Sequence, residues 1–148
     1  MLIRKARPED ASKIAGFQLA MALETEDLQL DKKTVDKGVE AVFKDPSKGN
    51  YYIAEIEEHV VASLLTTFEW SDWRNGTVLW IQSVYVLPDF RKIGIYTAMY
   101  QHIQQLVTEN DDLKGIRLYA EKTNETAHLV YEKAGMSAEH YQLYEWLK

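Results

Sequence analysis

Between residues 51 and 86 the chain carries three strand-like runs in succession, with no helical period between them. YYIAEIE (51–57), VVASLLTTFEW (60–70) and TVLWIQSVYV (77–86) are rich in β-branched and aromatic residues, the types that pack on a pleated surface. Asn75-Gly76 between the last two is a hairpin signal, because both residues tolerate the left-handed backbone of a tight turn. A meander of this kind excludes a doubly wound parallel sheet, in which a crossover helix follows each strand.

Helical periods lie on either side of the meander. Residues 2–6 suit a short strand, and Pro8, Glu9 and Asp10 open a helix with acids at the positive end of its dipole. Ile14, Phe17 and Met21 fall on one face of it. A second stripe, Val35, Val39 and Val42, stops at Asp45-Pro46, because a proline disfavours helical backbone in the residue before it. After the meander, Ile95, Met99, Ile103 and Leu106 form a third stripe, 116–120 reads as a buried strand, and 123–134 as a helix closed by Gly135. HYQLYEWL reads as a final strand. The expected order is β-α-α-β-β-β-α-β-α-β, an α+β or mixed-sheet α/β fold, in one domain spanning residues 1–148.

With 148 residues and 46% hydrophobic side chains, the chain can bury one sizeable core. Its 17 basic and 23 acidic residues give a formal charge of -6, which disfavours nucleic acid as a partner and favours cations. MLIRKARPED puts charges where a secretory signal needs an apolar run, and no run approaches a membrane span; a cytoplasmic protein with no membrane partner is the expectation. The chain has no cysteine, so it makes no disulfide or acyl-thioester, and His59, His102, His128 and His140 lack metal-ligand spacing, so no metal is expected.

VYVLPDFRKIGIY, starting at Val84, carries the chemistry. A strand passes through a proline turn into Arg91, Lys92 and Gly94 and then a helix. A helix N-terminus presents backbone N–H groups to an anion, and glycine lets backbone approach it closely. The loop is neither a Walker loop nor a dinucleotide fingerprint. Read alone it is a solvated basic turn. A second crossover changes its meaning: Asn124, Ala127, Tyr131 and Gly135 fit Asn-x-x-Ala-x-x-x-Tyr-x-x-x-Gly, while 84–94 fits Val-x-Val-x-Pro-x-x-Arg-x-x-Gly. Together, each between strand and helix, these motifs resemble the acyl-CoA-binding core of the GNAT N-acetyltransferase superfamily, and the resemblance extends over nearly the whole order of elements.

That resemblance implies acetyl-CoA as co-substrate. Main-chain N–H groups across Lys92, Ile93, Gly94, Ile95, Tyr96 and Thr97 would hold its diphosphate, with Arg91 and Lys92 adding charge. Val84, Tyr85 and Val86 would pair with the pantetheine arm as though it were an added strand. Asn124, an ordinary helix cap by itself, would contact the cofactor. Tyr131 would be the general acid that protonates the leaving thiolate. Two positions depart from the family pattern. Tyr96 stands where a small residue is usual, and Gln82 stands where many members carry a glutamate base. An amide cannot take a proton at neutral pH, but it can orient a water, leaving Glu69 or Asp72 as the nearby carboxylates.

Acceptor recognition falls to the segment between the first two helices, where Glu24, Glu26, Asp27 and Asp31 would attract a cationic amine. A solvated acidic loop is the plain alternative. This segment and FEWSDWRNGTVLWIQSVYV share a looser resemblance with the spermidine/spermine acetyltransferase branch. Trp80, with Trp70 and Trp73, would supply an aromatic wall for a cation. The expected activity is transfer of acetyl to a small primary amine by direct attack in a ternary complex. The alternatives are a protein or peptide amine as acceptor, and a non-catalytic acyl-CoA sensor. Tyr141, Tyr144 and Trp146 leave room for a homodimer.

Overall fold

The computed structural model describes residues 1–148, which divide into two compact units, Met1–Leu118 and Tyr119–Lys148. The first unit runs β1 (Leu2–Lys5), α1 (Ala11–Glu26), α2 (Lys32–Lys44), β2 (Asn50–Ile56), β3 (His59–Ser71), β4 (Gly76–Val86), α3 (Ile95–Glu109) and β5 (Leu113–Leu118). The second contains α4 (Glu125–Lys133). Strands β1 to β5 form one sheet in chain order, antiparallel except for the parallel pair β4–β5, whose connection contains α3.

Side-chain alternation gives the sheet two faces. Tyr51 and Ile53 of β2 join Ile14 and Ala15 of α1 and Val39 of α2 in one apolar cluster, with Leu65, Val35 and Phe43 packed against it. Tyr52 points the other way and meets His102 of α3, ring centroids 5.7 Å apart, which puts α3 on the opposite face. Met99 and Ile103 are fully buried along that helix. At the start of β2, Gly49 is required by space: at φ +152, a Cβ there would lie 2.4 Å from the Thr66 carbonyl oxygen.

Three local expectations change. The β3–β4 hairpin is not a two-residue Asn-Gly turn. Ser71 pairs with Gly76, and residues 72–75 make consecutive turns closed by Asn75 at φ 46. Strand β5 begins earlier and ends at Leu118, because its ladder follows Thr77 to Ile81 of β4. The final strand is absent: residues 141–148 are irregular, and Tyr141, Tyr144 and Trp146 are more than four-fifths exposed at 82%, 85% and 87%. An apolar alternation becomes a strand only by pairing, and no ladder includes this segment.

Candidate active site

Strand β4 changes character along its length. Thr77 to Ile81 pair with β5, but no β5 residue pairs with 82–86, so the edge of β4 facing β5 opens there. On the other side Leu65 pairs with Gln82 and Ser63 with Tyr85, so one extra residue is accommodated on β4. Ser83 takes it up at φ 54 as a bulge. The extra residue puts Gln82 and Tyr85 on the same face, the one covered by α1, where Tyr85 lies against Phe17 at 5.3 Å. The N–H of Leu87 donates to Val61 O on β3 at 2.9 Å, so by alternation the main-chain groups of Val84 and Val86 turn away from β3 to the open edge.

Beyond that edge the chain turns through Pro88–Phe90 into a loop with two left-handed residues, Lys92 at φ 64 and Gly94 at φ 86. Gly94 immediately precedes α3, whose first helical bond runs from the Ala98 N–H to Gly94 O at 3.0 Å. The N–H groups of residues 95–97 therefore lie ahead of the ladder at the helix's positive end. A Cβ on Gly94 would meet nothing within 4 Å. The open edge, the glycine and the helix start suit an extended amide ligand ending in a phosphate. Lys92 and Ile93 are exposed, Tyr96 is half-buried, and Ile95 is buried beneath the turn.

Arg91 folds back onto the protein. Its Nε donates to Val86 O at 2.8 Å and its Nη2 to Glu24 Oε2 at 2.7 Å, and the guanidinium lies 5.4 Å from the Tyr85 ring centroid. Tyr85 Oη donates to the other Glu24 oxygen at 2.9 Å. These bonds hold the Glu24 carboxyl below the usual carboxylate range, Arg91 first and Tyr85 second. Burial, then the Glu24 carboxylate, pushes the Tyr85 phenol up. Glu24, expected to face an acceptor, thus has both carboxylate oxygens engaged. Of the other acids in the segment, Glu26 is exposed, Asp27 ends α1 at φ 49, and Asp31 caps α2 through Thr34 N–H at 3.0 Å.

The α1 face of the sheet carries a polar row beyond Leu65. Gln82 Nε2 donates to Thr67 Oγ1 at 3.0 Å, Trp80 Nε1 to Glu69 Oε1 at 3.3 Å, and Arg117 of β5 closes an ion pair with Glu69. Thr67, Trp80 and Arg117 are in register on three neighbouring strands. The sequence alone does not mark Thr67 and Arg117 as members of this row. Their signal is a polar residue on one parity of an otherwise apolar strand, and it needs the strand register to be read. Asp72 sits in the hairpin loop, accepting from the Trp73 N–H at 2.9 Å.

In the second unit Asn124 caps α4, its Oδ1 accepting from the Ala127 N–H at 3.1 Å. Tyr131 is half-buried in the last turn of α4, and Gly135 at φ 83 ends the helix as Met136 N–H donates to Tyr131 O at 3.0 Å. No three His, Asp or Glu side chains gather as a metal site, and no helix is long and apolar enough to cross a membrane.

Comparison with known proteins decides the family. The model of the acetyltransferase (GNAT) family matches residues 17–136. The chain belongs to the GNAT acetyltransferases. A structure described as "a possible acetyltransferase" of Clostridium difficile 630 shares 41% identity over 99% of this chain and 97% of its own, with a TM-score of 0.91. A Clostridium acetobutylicum protein, a "predicted acetyltransferase with acetyl-CoA", is 23% identical over 99% and 94% of the two chains, TM-score 0.72. The ribosomal-protein-alanine N-acetyltransferase of Brucella melitensis biovar Abortus 2308 shares the fold at 16% identity, over 99% of each chain and with a TM-score of 0.79. No curated protein sequence matches this chain. As a GNAT enzyme, the protein transfers acetyl from acetyl-CoA to an amine.

Proposed function

We propose that this GNAT enzyme acetylates a small cationic primary amine by direct attack. The observation that carries the reading is the opened edge of β4 leading straight into the Lys92–Gly94 turn. Val84 and Val86 offer main-chain partners to the amide arm of acetyl-CoA, and the turn and first residues of α3 receive its diphosphate. The amine nitrogen bonds to the thioester carbonyl carbon, the carbon–sulfur bond breaks, and the thiolate takes a proton from Tyr131, which regains one from solvent. The amine's proton leaves through water held by Gln82, whose amide already points along the polar row to Thr67.

Acceptor charge is the finer part of the reading. Exposed Glu26, near the C-terminus of α1, and Trp80 on the sheet face supply an anion and an aromatic surface for a polyamine or similar cation. The exposed aromatic residues of the C-terminal segment support a homodimer, which light scattering would test. The function is tested by incubating acetyl-CoA and enzyme with polyamines, monoamines and N-terminal peptides in turn while free thiol is followed. Turnover with polyamines above the other classes is expected. Thiol release no faster than hydrolysis for every amine would leave a coenzyme-binding sensor.

A further inference from the structure

The loop between β4 and α3 brings two cations to the coenzyme turn, and the structure treats them differently. Lys92 is exposed and makes no ion pair. Arg91 has Nε on Val86 O, Nη2 on Glu24 and its plane near the Tyr85 ring. Glu24 comes from the last turns of α1, and its second oxygen takes the Tyr85 hydroxyl. One carboxylate therefore ties α1 to the outgoing strand and to the loop at once. A carboxylate that bridges two donors in this way fixes where an arginine points, and here the Arg91 Nε and Nη2 are directed to Val86 O and Glu24.

We propose that Glu24 is a positioning residue for coenzyme binding: it holds Arg91 against Tyr85 and β4, so that Lys92 and the turn's N–H groups meet the diphosphate. Arg91 is then a brace for the turn, not a phosphate ligand, and Glu24 serves the coenzyme, not the acceptor. This rests on the reading that the 92–97 turn receives the diphosphate. The brace also occupies Val86 O, leaving the Val86 N–H and both Val84 main-chain groups as the edge's contribution to the pantetheine arm.

The test is calorimetric titration of coenzyme A into wild type, Glu24→Gln, Arg91→Met and the double variant at several salt concentrations, with melting temperatures as a folding control. Each single change is expected to weaken binding by about tenfold, and the double change no further, because both remove one brace. Arg91→Met should leave the salt dependence as in wild type, whereas Lys92→Met should flatten it. Glu24→Gln should raise KM for acetyl-CoA and not KM for the amine. Glu24→Asp should recover part of the loss. Coenzyme binding by Glu24→Gln as tight as wild type or tighter overturns the proposal, as does a flattened salt dependence in Arg91→Met. A wild-type protein that binds no coenzyme A overturns instead the assignment of the turn on which it rests.

Discussion

Replacing Gly94 with alanine separates the demands of folding from those of the ligand. At φ 86 and ψ 8 the residue is left-handed, a conformation that costs an L-residue about 1–2 kcal/mol. No atom lies within 4 Å of the added Cβ, so no clash adds to that cost. The melting temperature should fall by roughly 2–8 °C for a chain of this size. On the proposed reading coenzyme binding should suffer more, because a Cβ on Gly94 would project into open space through which a diphosphate would approach the N–H groups of the turn. Loss of one or two charge-assisted hydrogen bonds, at about 1.5–3 kcal/mol each, corresponds to at least a tenfold weakening. Thermal melting and coenzyme A titration on the same preparation measure the two effects, and Gly94→Glu should abolish binding outright. A folded Gly94→Ala protein with the wild-type dissociation constant would refute the reasoning.

Other outcomes follow from neighbouring features. Gly49→Ala should destabilise by about 3 kcal/mol or more in urea unfolding, since its Cβ would sit 2.4 Å from the Thr66 carbonyl oxygen, a backbone atom that cannot step aside. Tyr131→Phe should lower turnover on the order of a hundredfold with acetyl-CoA affinity unchanged, and Gln82→Glu should keep or raise the rate while moving the pH profile to lower pH; steady-state kinetics across pH check both. Burial raises the Asp10 carboxyl pKa, but Arg4, at 2.8 and 3.1 Å, and the Arg7 N–H, at 2.7 Å, outweigh it and hold the net value below the ordinary 3.8. The stabilisation is present above that ordinary value and is lost as pH falls through the lower folded one. Asp10→Asn should therefore cost roughly 1–3 kcal/mol at neutral pH and flatten the acid limb of the stability profile, seen by denaturant titration from pH 7 to pH 2.

What sequence alone reveals here is what depends on neighbours along the chain. The stripe Ile95, Met99, Ile103 lies on one helix face, and Ile95, Met99 and Ile103 are buried as the period implies. The meander pairs in chain order because sequential strands have short connections. The final segment misleads for the same reason: HYQLYEWL has a strand's alternation, but alternation names a face without supplying an edge to pair with. The link from Glu24 to Tyr85 and Arg91 spans 61 and 67 residues, a distance at which no local pattern speaks. Arg117 reaches Glu69 across β4, a pairing fixed by register. The acidic segment shows the limit most plainly. Its charges are legible as charges, but which of them face solvent, a cap or an arginine is decided by where α1 ends.

The bulge at Ser83 makes the backbone conformation at that position matter more than the identity of the residue that adopts it. Asparagine, aspartate or glycine can adopt a left-handed backbone at that position with little strain, so substitution there is tolerable. Deleting the residue would leave Gln82 and Tyr85 two apart, the regular spacing that keeps both on one face, whereas holding Ser83 extended with no residue removed is a different event. A regular ladder through Gln82 would rotate every following side chain by half a turn, sending Tyr85 to the α3 face, away from Phe17 and Glu24, and presenting its neighbours in its place. The main-chain groups of 84–86 would exchange edges at the same time. In this fold, therefore, the left-handed backbone at Ser83 sets the frame of the strand: straightening it changes no residue of the sequence, yet reverses the direction in which each later side chain of the strand points.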